Sequence, residues 1–152
     1  MSEPERNPQA TADAVRTAMR AQDTVLDTLG IEVTAIGPGT ATCTMTVRAD
    51  MLNGFKICHG GLVATLADTA FAYACNAYDE MTVASGFDIS ILAPSREGDV
   101  LSASAHEVSS SGRTGVYDIA VSNQRGERIA VFRGRSYTMK GRSITGADTP
   151  RA

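Results

Sequence analysis

The chain has 152 residues, 43% of them hydrophobic, and a formal charge of −3, so it is long enough for one domain that needs no staple. Its 14 Lys and Arg are scattered, not blocked, which excludes an electrostatic footprint for nucleic acid. Three cysteines, Cys43, Cys58 and Cys75, form no C-x-x-C pair and no basic-then-apolar leader opens the chain, so a reducing cytoplasm is the expected location.

Residues 1–10, opening "MSEPERNP", are polar and rich in proline, and are expected to form a loose tail. From Thr11 to Leu29 the spacing of Val15, Met19, Val25, Leu26 and Leu29 predicts one amphipathic helix, stopped by Gly30. "IEVTAIGPGTATCTMTVRAD" alternates apolar and polar residues on both sides of "GPGT", the pattern of a hairpin. A polar turn follows, then a helix over Gly61–Asn76 that is apolar on nearly every side. Strands are expected over Thr82–Leu92, Val100–Val108, Gly115–Ser122 and Arg128–Met139, with turns at "SREGD", "SSSGRT" and "NQRGE". The tail 142–152 is expected to fray. The order reads as α+β: one domain over 11–141, with an antiparallel sheet wrapped around its one long apolar helix. The apolar run Leu62–Tyr78 is only 17 residues long, below the roughly 20 of a membrane span, so no membrane association is expected.

Asp68 is the anomaly of that helix. It is the only formally charged residue from Ile57 to Tyr78, and it stands among Leu66, Ala67, Ala70 and Phe71. A helix interior disfavours Asp, and an apolar environment penalises an unpaired charge, so something compensates for it or uses it. One reading is a buried carboxylate satisfied by neighbouring donors. The other lies in "CHGG", where Gly60 and Gly61 open the helix and its first N–H groups have no intrahelical acceptor, a site suited to a polarised carbonyl oxygen. Asn53 and His59 flank that turn. Asp68 lies eight residues beyond Gly60, about 12 Å along the axis, too far to serve a group held at its own helix start. Ala64, Thr65, Ala72 and Cys75 share its face and are small, so a second, antiparallel copy of the helix would bring Asp68 of one chain to Gly60 of the other.

Other chemistries are less well served. Two histidines, His59 and His106, are too few for a His-rich metal site, so no metal ligands are assigned. No G-x-S-x-G marks a serine nucleophile. Cys58 beside His59 suggests a thiol nucleophile, but adjacent side chains point apart and Cys is commonly a small buried apolar group. Phe55, Phe71 and Tyr73 suit either an aromatic-accepting pocket or plain core.

"MLNGFKICHGGLVATLADTAFAYACN" resembles the signature of the hotdog-fold acyl-CoA thioesterases of the phenylacetic-acid-degradation (PaaI) type. "TGVYDIAVSNQRGERIAVFRGRSYTMKG" resembles the last two strands of that family, and the likeness spans about Leu29 to Gly141. It implies a dimer with shared active sites, assembled into a homotetramer, that hydrolyses an acyl-CoA of aryl or medium-chain type. It further implies that the Gly60 N–H polarises the thioester carbonyl, and that Asp68 of the partner is the nucleophile or the general base for water. Asn53 and His59 would shape the loop, and the Thr69 and Ser85 hydroxyls would position water or the carboxylate. Gly61, Ser111, Gly112, Arg113 and Thr114 would contact coenzyme A, with Arg113 toward the phosphates. No cofactor is expected, since coenzyme A is part of the substrate. In "GFDISILAPS" the chain departs from the family pattern, with Ser90, Ile91 and Ala93 where an aromatic and Leu-Arg-Pro are usual. A hotdog hydratase and an acyl-CoA-binding module without turnover are the competing classes; "CHGG" followed by Asp68 fits neither as well.

Overall fold

The computed structural model describes residues 7–146. Helices α1 (Pro8–Gln22) and α2 (Thr24–Leu29) precede strands β1 (Glu32–Gly37) and β2 (Thr40–Thr46); a short 3-10 turn, Ala49–Met51, leads to the long helix α3 (Gly60–Asn76). Strands β3 (Thr82–Ile91), β4 (Val100–Ser111), β5 (Thr114–Ser122) and β6 (Arg128–Thr138) complete one antiparallel sheet in the order β1-β2-β4-β5-β6-β3. The α+β expectation and the helix-in-sheet arrangement hold.

The single helix expected over 11–29 is two helices. Asp23 leaves helical geometry (φ −92°, ψ 86°) and receives the hydroxyl of Tyr73 at 3.3 Å, so a tertiary bond holds the break. The first helix also starts earlier than expected. Asn7 caps it by accepting the Gln9 N–H at 2.9 Å, and Pro8 occupies its first turn, where a missing N–H costs nothing. Residues 8–10 of the expected tail are thus helical, while 1–6 lie outside the described residues.

Helix α3 lies on the concave side of the sheet. Leu66, Ala67, Ala70, Phe71, Tyr73 and Ala74 are fully buried against the inward residues of the strands, among them Met45, Leu101, Ala103, Ile119, Val121 and Phe132. The seat of the helix is the Phe71 ring. It packs at 5.6 Å from Tyr117 and 6.0 Å from Phe132, and it lies over Gly134 of β6, where an added Cβ would meet ring carbons at 2.8 Å. Only glycine lets the helix approach the strand that closely. Phe71 and Tyr73 are therefore core, not pocket lining. Phe55, at the tip of the loop before α3, is 85% exposed.

Two further boundaries differ from expectation. Strand β4 does not end at Val108; after a bulge between Glu107 and Ser109 its pairing resumes to Ser111↔Thr114. Gly112, at φ 61°, then reverses the chain with Arg113, so "SSSGRT" is a strand end and a two-residue hairpin turn. The segment after Gly141 does not fray where it is described. Asp79, itself left-handed (φ 63°) and 2% exposed, accepts Ser143 Oγ (3.0 Å), Ile144 N (2.9 Å), Thr145 N (2.9 Å) and Thr145 Oγ1 (2.7 Å). Residues 147–152 lie outside the described residues.

Gly134→Ala is expected to destabilise the protein by about 1–3 kcal/mol in denaturant melts, because a buried ring trapped between Tyr117 and Phe132 has to move. The hydrogen bonds from Thr145, Ser143 and Ile144 hold the Asp79 carboxyl below its ordinary range against the opposing effect of burial, the largest single influence on it. A depressed carboxyl stabilises the fold above its unfolded pKa, and that stabilisation disappears as pH falls through the folded value. Asp79→Asn keeps the side-chain shape and tolerates the left-handed backbone, so it should lower Tm at neutral pH. The gap to wild type should close as pH falls below the ordinary carboxylate range.

Candidate active site

The loop before α3 is closed by Asn53. Its Oδ1 accepts the N–H groups of Phe55 (2.9 Å) and Ile57 (3.4 Å), and its own N–H reaches Ile57 O at 2.9 Å. The loop then docks: Cys58 N–H bonds Ser95 O at 2.8 Å, and His59 N–H bonds Met51 O at 2.9 Å. His59 becomes the N-cap of α3, yet its imidazole makes no capping bond. Its carbonyl accepts Leu62 N–H at 2.9 Å and Val63 N–H at 3.4 Å, leaving the Gly60 and Gly61 N–H groups as the free donors of the helix start. The His59 Nδ1 stands 3.6 Å from the point where a Cβ on Gly61 would sit, an ordinary packing distance, so the imidazole lies beside the helix start. Asn53, His59, Gly60 and Gly61 thus form one cluster, exposed at its glycines.

Asp68 is elsewhere. It is half-buried, one of the few α3 residues not enclosed by the sheet, and no described residue donates a hydrogen bond to it. Burial pushes its carboxyl up from the ordinary range, with no other cause beside it. Thr69, next in sequence, gives its hydroxyl to Thr65 O at 2.7 Å, the i−4 bond of a helical threonine. Ser85 sits at a bulge in β3 between Ala84 and Gly86 and gives its hydroxyl to Arg135 O at 3.1 Å. Within one chain, then, neither hydroxyl is bonded to Asp68.

The bulge at Ser85 also resets the alternation of β3. Before it Val83 pairs with Tyr137, and both are exposed; after it Phe87 turns inward and stacks on Phe132 at 4.7 Å. β3 bonds to β6 along one side only, and Val83, Phe87, Ile91 and Leu92 remain exposed along this edge.

The two ends of β3 belong to different parts of the site. At one end Ile91 Cγ1 lies 3.9 Å from the Cβ position of Gly60. At the other the Asn76 side chain clamps Thr82 through both backbone groups, at 2.8 and 2.9 Å, fixing the end of α3 there. The hairpin carrying Ser111, Gly112, Arg113 and Thr114 lies on the Thr82 side, because Thr114 and Val83 both pair with Tyr137. Gly60 and the hairpin are therefore at opposite ends of the same chain. That separation follows from the polarity of β3, which no local sequence pattern carries.

Burial also pushes up the Cys58 thiol, which donates to His59 O at 3.7 Å. A thiol held protonated in this way is a poor nucleophile. Among the described residues no three His, Cys, Asp or Glu side chains gather to hold a metal ion, and no helix is long and apolar enough to cross a membrane.

Residues 55–130 match the model of the thioesterase superfamily. The acyl-coenzyme A thioesterase PaaI of Escherichia coli is 46% identical over 129 residues, which cover 85% of this chain and 91% of that protein. The chain belongs to the thioesterase superfamily. Its fold is the hotdog fold, and it is a thioester hydrolase of PaaI type. The structure of the E. coli PaaI protein from the phenylacetic acid degradation operon superposes with a TM-score of 0.87 at 43% identity, over 90% of this chain and 99% of that one. A mutant of the phenylacetic acid degradation protein PaaI from Thermus thermophilus superposes with a TM-score of 0.74 at 34% identity, covering 77% of this chain and 100% of that one.

The raised Asp68 carboxyl gives this thioesterase a pH signature. A carboxyl raised in the folded state binds its proton more tightly there, so ionised Asp68 lowers stability at neutral pH and the penalty is relieved as pH falls through the raised value. Asp68→Asn is therefore expected to melt above wild type at pH 7, with an advantage that shrinks toward acid. A melting curve below wild type at pH 7 would instead mark the carboxylate as a bonded structural group.

Proposed function

We propose that the protein hydrolyses an acyl-CoA, of arylacetyl or medium-chain type, to the free acid and coenzyme A, in an active site shared between two chains. One observation carries the reading: a desolvated carboxylate with no donor among the described residues lies on the same helix whose first two N–H groups have no acceptor among them. Such a carboxylate weakens a protein that merely binds an anionic ligand. A thioester reaction uses both features.

The assembly follows from the edge strand. Two copies of β3 paired antiparallel about a twofold axis would cover Val83, Phe87 and Ile91 and satisfy the open backbone edge. This pairing sets the Thr82 end of one strand beside the Ile91 end of its partner. Asp68, Ser85 and the hairpin at Arg113 of one chain then face Asn53, His59 and Gly60 of the other. The working unit is a dimer, or a pair of such dimers.

In that site the Gly60 N–H donates to the thioester oxygen, at the positive end of the α3 dipole, as negative charge builds there. Asp68 acts in one of two ways. It takes a proton from water as the water oxygen attacks the carbonyl carbon, or it attacks directly to give a mixed anhydride that water opens. In both the carbon–sulfur bond breaks and the thiolate of coenzyme A leaves, to be protonated from solvent. Neither route requires a metal or a further cofactor. Asn53 and His59 hold the loop that aims the Gly60 N–H. The arylacetyl preference rests on the likeness to the E. coli protein, which comes from the phenylacetic acid degradation operon.

Release of free thiol from a panel of aryl and alkyl acyl-CoAs tests the reading. Asp68→Asn should keep the oligomer by sedimentation and lower kcat by about 10²-fold or more, as loss of a positioned base or nucleophile does. A stable, fully active monomer, or a folded Asp68→Asn protein with near-wild-type kcat, would overturn it.

A further inference from the structure

Of the three aromatic residues that suit either a pocket or the core, Phe55 has no place in the packing. Phe71 and Tyr73 are buried, whereas Phe55 is the most exposed large apolar side chain among the described residues. Strand pairing along β3 would cover Val83, Phe87 and Ile91, but Phe55 stands on a loop outside the sheet. A molecule that covers the ring recovers the free energy of burying it.

The loop that carries the ring is rigid. Asn53 closes it with four bonds: its Oδ1 accepts Phe55 N–H (2.9 Å) and Ile57 N–H (3.4 Å), its carbonyl accepts Lys56 N–H (3.0 Å), and its own N–H donates to Ile57 O (2.9 Å). Lys56 is held left-handed at φ 63°, a conformation that costs a residue with a side chain about 1 kcal/mol or more. The base of the loop is pinned where Leu52 bridges Cys58, and where Cys58 N–H and His59 N–H reach Ser95 O and Met51 O. A strained, closed turn therefore presents the ring, and a ring with two rotatable bonds on such a turn loses little freedom on contact.

The same loop leads into the helix start. Phe55 precedes Gly60 by five residues, a span of at most about 17 Å on an extended chain and shorter here because the turn folds back. Ile91 Cγ1 lies 3.9 Å from the Cβ position of Gly60, and Ile91 and Leu92 are 47% and 56% exposed. Exposed apolar carbon thus borders the helix start from two elements, the loop before α3 and the end of β3.

Resting on the acyl-CoA reading above, we propose that Phe55 is a specificity-determining residue for the acyl group: its ring packs on the acyl group whose carbonyl oxygen accepts the Gly60 N–H, and it favours an aryl ring over a straight chain. The acyl carbons are bonded to that carbonyl, so they extend into whatever surrounds Gly60. An aryl ring offers Phe55 an edge or an offset face, which adds to the gain from buried area alone. An acetyl group is too short to touch it. Phe55 selects the acyl group and leaves the attack at the carbonyl to Asp68.

Three substrates with one carrier isolate this contact: phenylacetyl-CoA, hexanoyl-CoA and acetyl-CoA, followed by release of free thiol. Wild type should prefer phenylacetyl-CoA. Phe55→Ala should lower kcat/KM about tenfold on phenylacetyl-CoA and about threefold on hexanoyl-CoA, with acetyl-CoA within about twofold. Phe55→Leu keeps apolar surface without a flat face, so it should recover hexanoyl-CoA turnover more than phenylacetyl-CoA turnover. A ratio of phenylacetyl to hexanoyl turnover that stays constant in both variants, whether activity falls or not, would overturn the proposal and leave Phe55 as a support of the loop or as plain surface. A Phe55→Ala protein that sediments as a smaller species than wild type would make the ring an anchor on a second copy, which also overturns it. If wild type turns over these substrates without preferring the aryl group, the role of Phe55 fails and thioesterase activity stands. If it hydrolyses none of them, the acyl-CoA reading fails and takes the role of Phe55 with it.

Discussion

The depth at which α3 sits in the sheet governs the rest of the molecule, and that depth is set where the Phe71 ring rests on the bare backbone of Gly134. The helix is sunk far enough for most of its circumference to be buried. What remains open is a narrow stripe through Gly61, Ala64, Thr65, Asp68 and Ala72. A shallower helix would leave Asp68 in water with an ordinary carboxyl. A deeper one would bury it without room for any second molecule. The same contact draws β6 against the helix and, through β6, fixes the edge strand β3, whose Ile91 end lies by Gly60 and whose Thr82 end lies on the hairpin side.

Much of this architecture is legible along the chain because its signals are local. The apolar stretch of α3, the alternation on both sides of "GPGT" and the glycine turns each act within a few residues, and each gave its element in place. The misreadings come from tertiary bonds. Asp23 looks like a tolerable polar residue inside one long amphipathic helix, and only the Tyr73 hydroxyl, 50 residues away, explains why the helix breaks there. The segment after Gly141 has the composition of a loose end, and the Met81 N–H and the Asp79 carboxylate dock its first residues. A bulge is similarly silent: "SAHEVSSSGRTG" reads as a strand and a loop, while the structure carries the ladder through to Ser111.

The candidate site divides in the same way. Asp68 stands out as a lone carboxylate in an apolar run, and Gly60 with Gly61 stands out as a helix start, so both are found from residue type alone. Asn53 is legible as a turn former, and its bonds to Phe55 and Ile57 are those of a turn. Ser85 and Thr69 are implied by the family resemblance alone, and within one chain their hydroxyls serve backbone carbonyls. Glu107 is silent in the sequence because a glutamate near the end of a strand does not differ from ordinary surface charge, yet Tyr78 and Tyr117 both donate to it. Those bonds depend on strand parity and on residues distant in sequence, both properties of the folded chain.

The edge strand has a consequence for how the protein is made. β3 is complete once Ile91 has been synthesised, but its neighbour among the described strands is β6, where Ile91 pairs with Ala130 and Thr82 with Thr138. The bonds that dock the segment after α3 wait longer still, until Thr145 has emerged. During that interval an apolar helix and a strand with both edges open are exposed together on the ribosome. Order in this region is thus reached late and almost all at once, by contacts of long sequence separation, which is the slow regime of folding. The strand proposed to pair two finished subunits is, in the unfinished one, the segment most in need of shelter from other nascent chains.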